Sequence, residues 1–362
     1  MKKTITAILR PDDTWSRHSE GAFLPLRDGR VLFAYSRFSS TWQDDAPSHI
    51  AGMVSGDGGE TWSEPRALLT AQPFGVTNVM SVSLMRMANG DVGLFYIVKQ
   101  TETINRIMLA RSNDEGETFY RQVDCTASIA QGYYVLNNDR VIRLSTGRLV
   151  LPLAYHRGGH SSRGGVRFDG RSYVVTLLSD DDGETWREGR EVVFPPFTHT
   201  TTGLQEPGVI ELQNGVLYGY ARTDQGCQYE FTSSDGGDTW TGAQPSPFTS
   251  PASPMKIARH PSGPLFACYN PVPAYNGRPM APAGWHRTPL TLTRALRDGE
   301  SFSPFFLLED DEDRGFCYPA MCFVSPSRLL LAYCSGGEED KACLARLTLC
   351  RLDEEESGEM SR

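Results

Sequence analysis

Short apolar runs alternate along the chain with turns that contain glycine, and this pattern predicts β-strands throughout. Residues 30–35 and 216–220 are two strand-like runs that directly follow such a turn. Gly and its Asn or Asp neighbours tolerate the positive φ of tight hairpins, so each turn indicates a connection between two strands. The turns are Asp28-Gly29, Asn89-Gly90, Thr146-Gly147, Asn214-Gly215 and Ser262-Gly263, with Ser327-Arg328 as a sixth without glycine.

A second repeat, the octet Ser-x-Asp-x-Gly-x-Thr-Trp, gives the period of the chain. It occurs at residues 55–62, 179–186 and 233–240, at 112–119 with Phe for Trp, and in decayed form at 296–302. Successive units are about 60 residues long, so the 362 residues hold six of them. Repeated units of four strands predict an all-β protein, a six-bladed β-propeller of four-stranded antiparallel blades in one domain, residues 1–352.

Three further expectations concern the octets and the two ends of this domain. Residues 4–9 are expected to pair into the last blade and close the ring, because closure removes an exposed sheet edge. Residues 353–362 are mostly acidic and are expected to form a disordered tail. The octet residues are expected to be structural, because an Asp can accept hydrogen bonds within a hairpin while the Trp packs between strands.

The charge balance and the cysteine spacing disfavour several classes of binding partner. The chain has 35 Lys and Arg against 44 Asp and Glu, a net charge of −9, which disfavours binding to nucleic acid or to an anionic membrane. The apolar run at the N-terminus is shorter than a signal peptide, so a cytoplasmic protein with free thiols is expected. The eight cysteines lack zinc-site spacing, and we expect neither a metal nor a cofactor.

The innermost strand of each unit begins about nine residues before the turn, close to the expected propeller axis. That count places Glu20, Ser81, Asn138 and Glu206 at equivalent positions in units one to four. Glu20 and Glu206 therefore face each other across a six-fold ring. In the third unit, Tyr133 and Asn138 suit ring stacking and hydroxyl recognition of a sugar. Equally, Asn137 and Asp139 would hold a turn and Tyr133 would belong to the core.

The octets are Asp-boxes, and with them the chain resembles the sialidase (BNR/Asp-box) superfamily of six-bladed propellers. The resemblance implies that Glu206 is a catalytic carboxylate and that Arg222, sixteen residues later, binds a substrate carboxylate. It implies a second such arginine at Arg287 and a nucleophilic tyrosine at Tyr318. It also implies an acid/base aspartate ahead of the first octet, where the chain offers two neighbouring residues, Asp44 and Asp45.

One position departs from the pattern of this superfamily. The superfamily carries its first arginine in a Phe/Tyr-Arg-Ile-Pro motif, and the corresponding position here is Ser19, followed by Glu20. Arg37, on the next strand, could supply a substitute guanidinium. The departure leaves room for a sugar other than sialic acid, with hydroxyl or amino groups that pair with Glu20.

The leading interpretation is a sialidase-like exo-glycoside hydrolase acting on the terminal, acidic sugar of a small glycan. Tyr318 and Glu206 would form the nucleophile pair, and Asp44 or Asp45 would be the acid/base. A second hypothesis is a propeller lyase that cleaves a uronate-linked saccharide with His49 or His156 and a tyrosine as base and acid. A third is a non-catalytic propeller that binds a glycan.

Overall fold

The computed structural model describes residues 1–160, 165–273, 287–295 and 297–354, and it confirms the six-bladed, all-β architecture. Each blade is an antiparallel sheet whose strands follow one another from the axis outwards. The expected hairpin turns lie between the first and second strands of each blade, where Gly29, Gly90, Gly147, Gly215 and Gly263 all adopt positive φ. Two short 3₁₀ helices, Gln72–Phe74 and Glu338–Asp340, lie in connecting loops.

Each of the six blades begins with its innermost strand, and the strands further from the axis follow in order. Blade 1 contains β2 (Arg17–Pro25), β3 (Val31–Phe38), β4 (Ser48–Ser55) and β5 (Arg66–Thr70), and blade 2 contains β6 (Val79–Arg86), β7 (Val92–Lys99), β8 (Asn105–Ser112) and β9 (Arg121–Asp124). Blade 3 contains β10 (Tyr133–Val135) and β11 (Ile142–Arg143), both paired with β12 (Leu149–His160), then β13 (Val166–Ser179) and β14 (Arg187–Glu188). Blade 4 contains β15 (Gln205–Glu211), β16 (Leu217–Arg222), β17 (Cys227–Ser233) and β18 (Gln244–Thr249), and blade 5 contains β19 (Lys256–Arg259), β20 (Leu265–Tyr269), β21 (Leu290–Ala295) and β22 (Ser303–Glu309). Blade 6 contains β23 (Cys317–Ser325), β24 (Arg328–Cys334), β25 (Leu347–Asp353) and, as its outermost strand, β1 (Lys2–Leu9).

Closure of the ring depends on strand β1. It pairs antiparallel with β25 from Lys2 opposite Asp353 to Leu9 opposite Leu347, two residues longer than the pattern predicts. Trp62 of the first octet adds a hydrogen bond from its indole N–H to Thr6 Oγ1, 3.1 Å away. The expected closing strand is therefore confirmed, while residues 355–362 of the expected acidic tail lie outside the described residues.

The four complete Asp-boxes form the same compact hairpin. In the first, the Ser55 hydroxyl donates to Asp57 Oδ1 at 2.7 Å and accepts the Gly59 N–H at 2.8 Å. The other carboxylate oxygen accepts the Thr61 hydroxyl at 2.5 Å. The same three hydrogen bonds recur in the octets that begin at Ser112, Ser179 and Ser233. The octets thus stabilise turns, as expected of them.

In three of the octets, the residue after the Asp-box aspartate position has a carboxylate that connects neighbouring blades. Asp182 accepts the Ala88 N–H of the preceding blade at 3.0 Å and pairs with Arg143 of its own inner strand at 2.5 Å. Glu115 in blade 2 makes the corresponding contacts with the Arg27 N–H and the Arg86 side chain. Asp298 in blade 5 makes them with the Gln213 N–H and the Arg259 side chain. The decayed fifth octet thus keeps this inter-blade carboxylate, although Arg297 stands where the other octets have aspartate.

The hydrophobic core consists of clusters packed between adjacent blades. The cluster between blades 6 and 1, for example, joins Phe23 and Phe33 to Leu330 and Leu349. Burial of these apolar faces supplies the main stabilisation of each blade contact. All eight cysteines are free, as expected, and six of them are buried.

Candidate active site

Four innermost strands carry a β-bulge at the position nearest the axis. The bulged residues are Glu20 in blade 1, Ser81 in blade 2, Glu206 in blade 4 and Tyr318 in blade 6, with φ of 57°, 55°, 49° and 55°. A positive φ is uncommon for residues other than glycine, and a bulge redirects the side chain out of the regular alternation of the strand. The repeated bulge therefore directs equivalent side chains of different blades towards one place.

Blade 3 differs because its innermost strand is broken into β10 and β11. The residue with positive φ there is Asp139, at 55°, so the count that gave Asn138 is wrong by one residue. The Asn138 amide donates instead to two backbone carbonyls, that of Gly21 at 2.9 Å and that of Tyr318 at 3.3 Å. The structure thus uses this asparagine to hold the bulges of blades 1 and 6 together.

Tyr318 and Glu206 form the central pair of the site. The tyrosine hydroxyl donates to Glu206 Oε1 at 2.6 Å, and Arg222 Nη1 donates to the same oxygen at 2.7 Å. Burial, and then the neighbouring Glu206 carboxylate, raise the pKa of Tyr318 well above its ordinary value. The phenol is therefore neutral, with a carboxylate positioned to accept its proton.

Arg287 lies on the other side of Tyr318. Its guanidinium carbon is 5.6 Å from the centre of the tyrosine ring, and the side chain is only 4% exposed. Nη1 donates to Cys317 Sγ at 3.1 Å and Nη2 to the Ala252 carbonyl at 3.2 Å. The structure thus brings Arg222, Arg287, Glu206 and Tyr318 together in one place.

The Cys317 thiol is part of a buried cluster beneath this site. Its Sγ lies 3.3 Å from Cys343 Sγ. Burial alone would raise the pKa of the Cys317 thiol, but hydrogen bonds with Cys334 and Cys343, together with Arg287, lower it well below its ordinary value. The thiol accordingly acts as the acceptor for Arg287, a role that the sequence pattern did not indicate.

Arg17 is the main residue of the site that the sequence analysis missed. It is fully buried, its Nη1 donates to Asp44 Oδ1 at 2.5 Å, and its Nη2 lies 3.3 Å from Glu20 Oε2. Its Nε donates to Ser19 Oγ at 2.7 Å. A guanidinium thus reaches the first-arginine position of the superfamily from two residues earlier in the same strand. An Arg three residues before a strand-entry Glu is the signal that could have revealed it.

The two neighbouring aspartates are placed differently. Both are exposed residues of the same loop, but Asp44 contacts Arg17, and no hydrogen bond or ion pair to Arg17 involves Asp45 among the described residues. Its protein surroundings would raise the pKa of Asp44, but the adjacent Arg17 lowers it below the ordinary value. The geometry thus favours Asp44 as the carboxylate closer to the site.

Arg37 and His49 point to the other face of blade 1. They lie opposite each other in the β3–β4 register, and Arg37 also lies opposite His18, on the face that Arg17 does not share. Arg37 stacks 4.2 Å over the Trp15 ring, and the His49 ring lies 4.8 Å from Trp15. The expectation that Arg37 replaces the missing arginine, or that His49 takes part in the site, is therefore corrected: strand alternation turns both away.

An aromatic group lines the blade 3 side. The Tyr133 ring lies 5.9 Å from His156 and 5.0 Å from Phe168, and Lys99 Nζ is 5.8 Å from its centre. Burial lowers the pKa of His156, and the charges of Glu206 and Arg222 act on it too. Tyr133 and His156 thus border the site, beside a half-exposed Phe168 on the long β12–β13 hairpin.

The described residues contain neither a metal-binding cluster nor a helix that could span a membrane. In residues 1–160, 165–273, 287–295 and 297–354, no group of three or more His, Cys, Asp or Glu side chains is arranged to hold a metal ion. Within the same ranges, no helix has the length and apolar character needed to cross a membrane.

Comparison with known families agrees with this architecture. Residues 81–330, more than half of the chain, match the family described as the BNR repeat-like domain. The protein therefore belongs to that family. No protein of curated function matches the chain in sequence.

Solved structures with the same fold include sialidases. The Hadza microbial sialidase Hz136 superposes with a TM-score of 0.71 at 16% identity, over 93% of this chain and 66% of that one. The NanB sialidase of Streptococcus pneumoniae, as a K499G mutant, gives 0.70 at 14% identity, over 97% and 70%. A protein of unknown function from Dyadobacter fermentans gives 0.70 at 15% identity, over 97% and 99%. The chain thus spans about two thirds of the length of the two sialidases.

Proposed function

We propose that the protein is a sialidase-like exo-glycoside hydrolase that removes a terminal acidic sugar from a small glycan. The observation that carries this proposal is the 2.6 Å hydrogen bond from the Tyr318 hydroxyl to Glu206, flanked by Arg222 and Arg287. Fork-shaped guanidinium groups suit a carboxylate on the substrate. A neutral phenol is not repelled by that carboxylate before reaction, as an anionic nucleophile would be.

The reaction then proceeds in two steps. Tyr318 Oη forms a bond to the anomeric carbon while Glu206 takes the phenol proton and the glycosidic C–O bond breaks. The departing oxygen receives a proton from the acid, for which Asp44 is the candidate. In the second step water attacks the anomeric carbon, Asp44 takes a proton from it, and the Tyr318 phenolate leaves and regains its proton from Glu206.

The contact with Arg17 sets the protonation state of the proposed acid. Because Arg17 lowers the pKa of Asp44, this carboxyl is ionised in the free protein near neutral pH. The ionised form suits the second step, in which a base must accept a proton. The first step requires the protonated form, so we expect glycoside cleavage to become faster towards acidic pH.

A panel of substrates tests the proposal. The full chain is incubated with a fluorogenic sialoside, uronic acid glycosides, neutral glycosides and a uronate-containing oligosaccharide, and the products are identified by mass spectrometry. Release of an acidic monosaccharide, abolished in Tyr318→Phe, would support it. Turnover of none of the acidic glycosides, or full activity in Tyr318→Phe, would overturn it.

A second candidate function is elimination from a uronate-linked saccharide. The observation that favours it is the contact between Tyr133 and His156, because a buried, neutral histidine beside a tyrosine can supply a base and an acid. An unsaturated uronate that absorbs in the ultraviolet would identify this reaction in the same panel. Binding of a glycan without any product would instead indicate a non-catalytic propeller.

A further inference from the structure

Glu20 occupies the bulge position of blade 1, equivalent to Glu206 in blade 4 and Tyr318 in blade 6. It directly follows Ser19, where the superfamily has its first arginine. The Asn138 amide links the Gly21 carbonyl to the Tyr318 carbonyl, so the Glu20 bulge lies beside the Tyr318 bulge. An acidic residue therefore stands next to the position of the first arginine of the superfamily, where the buried Arg17 side chain contacts Ser19.

Glu20 is buried and incompletely satisfied. It is 4% exposed, and no donor in the described part of the chain makes a hydrogen bond with its Oε2, although Arg17 Nη2 lies 3.3 Å away. Arg17 Nη1 is bound to Asp44 at 2.5 Å, so one guanidinium serves two carboxylates. A buried carboxyl with a shared cation is only weakly held in its ionised form.

We infer that Glu20 binds the acidic group of the sugar as a neutral carboxylic acid, so that, where Glu20 is ionised in the free protein, binding of an acidic sugar takes up one proton. This inference rests on the proposed function, because it requires a negatively charged sugar between Arg222 and Arg287. The hydroxyl of the acid donates a hydrogen bond to the carboxylate of the sugar and replaces a donor of the missing arginine. An ionised Glu20 would instead repel that carboxylate.

The surroundings of Glu20 support this protonation. Burial is the main cause that raises its pKa, to about 7; Arg17 opposes this shift, and Asp44 and Glu206 add to it. A second carboxylate arriving with the sugar would raise the pKa further. The titratable and charged groups that face Glu20 from the packed elements are Arg17, Asp44, Tyr133, Glu206, Cys317 and Tyr318.

The inference has a defined pH dependence. Below pH 7 Glu20 is already protonated, so binding takes up almost no proton. Above pH 7 the protein must first acquire the proton, so the affinity for an acidic sugar should fall about tenfold between pH 6 and pH 8. Uptake of about one proton should accompany binding at pH 8.

Calorimetry of the full chain measures this uptake directly. N-acetylneuraminic acid and glucuronic acid are titrated in at pH 6 and pH 8, in buffers with different ionisation enthalpies, because the dependence of the heat on the buffer counts the protons. Uptake at pH 8 and almost none at pH 6 is expected. Equal affinity at both pH values without uptake would overturn the inference and leave the proposed function intact. No binding of either sugar would overturn both.

Glu20→Gln is the matched variant, because its amide N–H donates without titrating. We expect it to bind like the unaltered chain at pH 6, about tenfold more tightly than it at pH 8, and without proton uptake. Loss of binding in Glu20→Gln at both pH values would instead show an ionised Glu20 that pairs with a cation. Should the variant fail to fold, the proton count of the unaltered chain still decides the question.

Discussion

Tyr318 and Glu206 are 112 residues apart in the chain and belong to different blades, yet the tyrosine hydroxyl lies 2.6 Å from the glutamate carboxylate. Both residues adopt positive φ at the same bulge of their innermost strands. The contact is thus a product of two equivalent backbone irregularities, and the proposed chemistry depends on it.

Tyr318→Phe removes the hydroxyl and keeps the ring. If the hydroxyl is the nucleophile, kcat for glycoside cleavage should fall by about a thousandfold or more. Tyr35→Phe is the matched control, because the Tyr35 hydroxyl is buried with no hydrogen-bond partner among the described residues. Steady-state kinetics should show near-normal activity for the control, and a similar loss in both variants would contradict the assigned role.

Asp44→Asn and Asp45→Asn distinguish the two candidate acids. Loss of a general acid should slow cleavage about a hundredfold for a sugar leaving group, and much less for nitrophenol, which needs no proton to depart. We expect this pattern for Asp44→Asn and nearly normal rates for Asp45→Asn. Rates on paired alkyl and nitrophenyl glycosides measure it, and the opposite ranking would assign the role to Asp45.

Cys317→Ala removes the sulfur that accepts the Arg287 hydrogen bond. Because Arg287 would lose one of the contacts that orient it, kcat/KM for an acidic substrate should fall about tenfold, through weaker binding of the acidic group. Cys268→Ala is the control, a buried thiol in the core between blades 5 and 6. Equal effects of the two substitutions on kcat/KM would show that Cys317 only fills space.

Asp182→Ala should destabilise the fold far more than Asp180→Ala. Asp182 connects blades 2 and 3 and pairs with Arg111, whose side chain is buried. Its removal should reduce the free energy of unfolding by about 1–3 kcal/mol. Asp180 makes an exposed pair with Arg148, worth less than about 1 kcal/mol. Denaturant unfolding of both variants measures the difference, and equal losses would refute the inter-blade role.

The Asp-boxes should make stability sensitive to acid. Hydrogen bonds from Thr118 lower the pKa of Asp114 to about 2; at Asp235, burial opposes the shift and Thr239 lowers the pKa to about 2. A lowered pKa stabilises the folded state above the ordinary aspartate pKa near 4, and the contribution disappears as the pH falls towards 2. The denaturation midpoint should therefore decline between pH 4 and pH 2, less steeply in Asp235→Asn. An unchanged slope in that variant would exclude this cause.

The fold could be predicted from the sequence because a propeller repeats the same short motifs in successive blades. Each octet specifies its own hairpin, and the glycine turns give the strand spacing without knowledge of distant contacts. The count of nine residues located Glu20, Ser81 and Glu206 correctly for the same reason. It failed at Asn138 because the innermost strand of blade 3 is broken. No residue in that segment predicts the break.

Only part of the candidate site could be predicted from the sequence. The count of nine residues before the turn identified Glu20 and Glu206, and the resemblance supplied Arg222, Arg287 and Tyr318. The direction in which a side chain leaves a strand was harder to predict. Arg37 lies near the site in sequence but faces Trp15, whereas Arg17 reaches Glu20 and Asp44 from a position that drew no attention.

The pairing of β1 with β25 also has a consequence for how the chain folds during synthesis. Blades 1 to 5 consist of strands contiguous in sequence and can form in the order in which they are made. In blade 6, Lys2 pairs with Asp353. The backbone hydrogen-bonding groups of β1 therefore stay unpaired until nearly the whole chain has been synthesised. Contacts of such long sequence separation form slowly. Closure of the ring is therefore expected to be the last step of folding, and the interval before it the period of greatest aggregation risk.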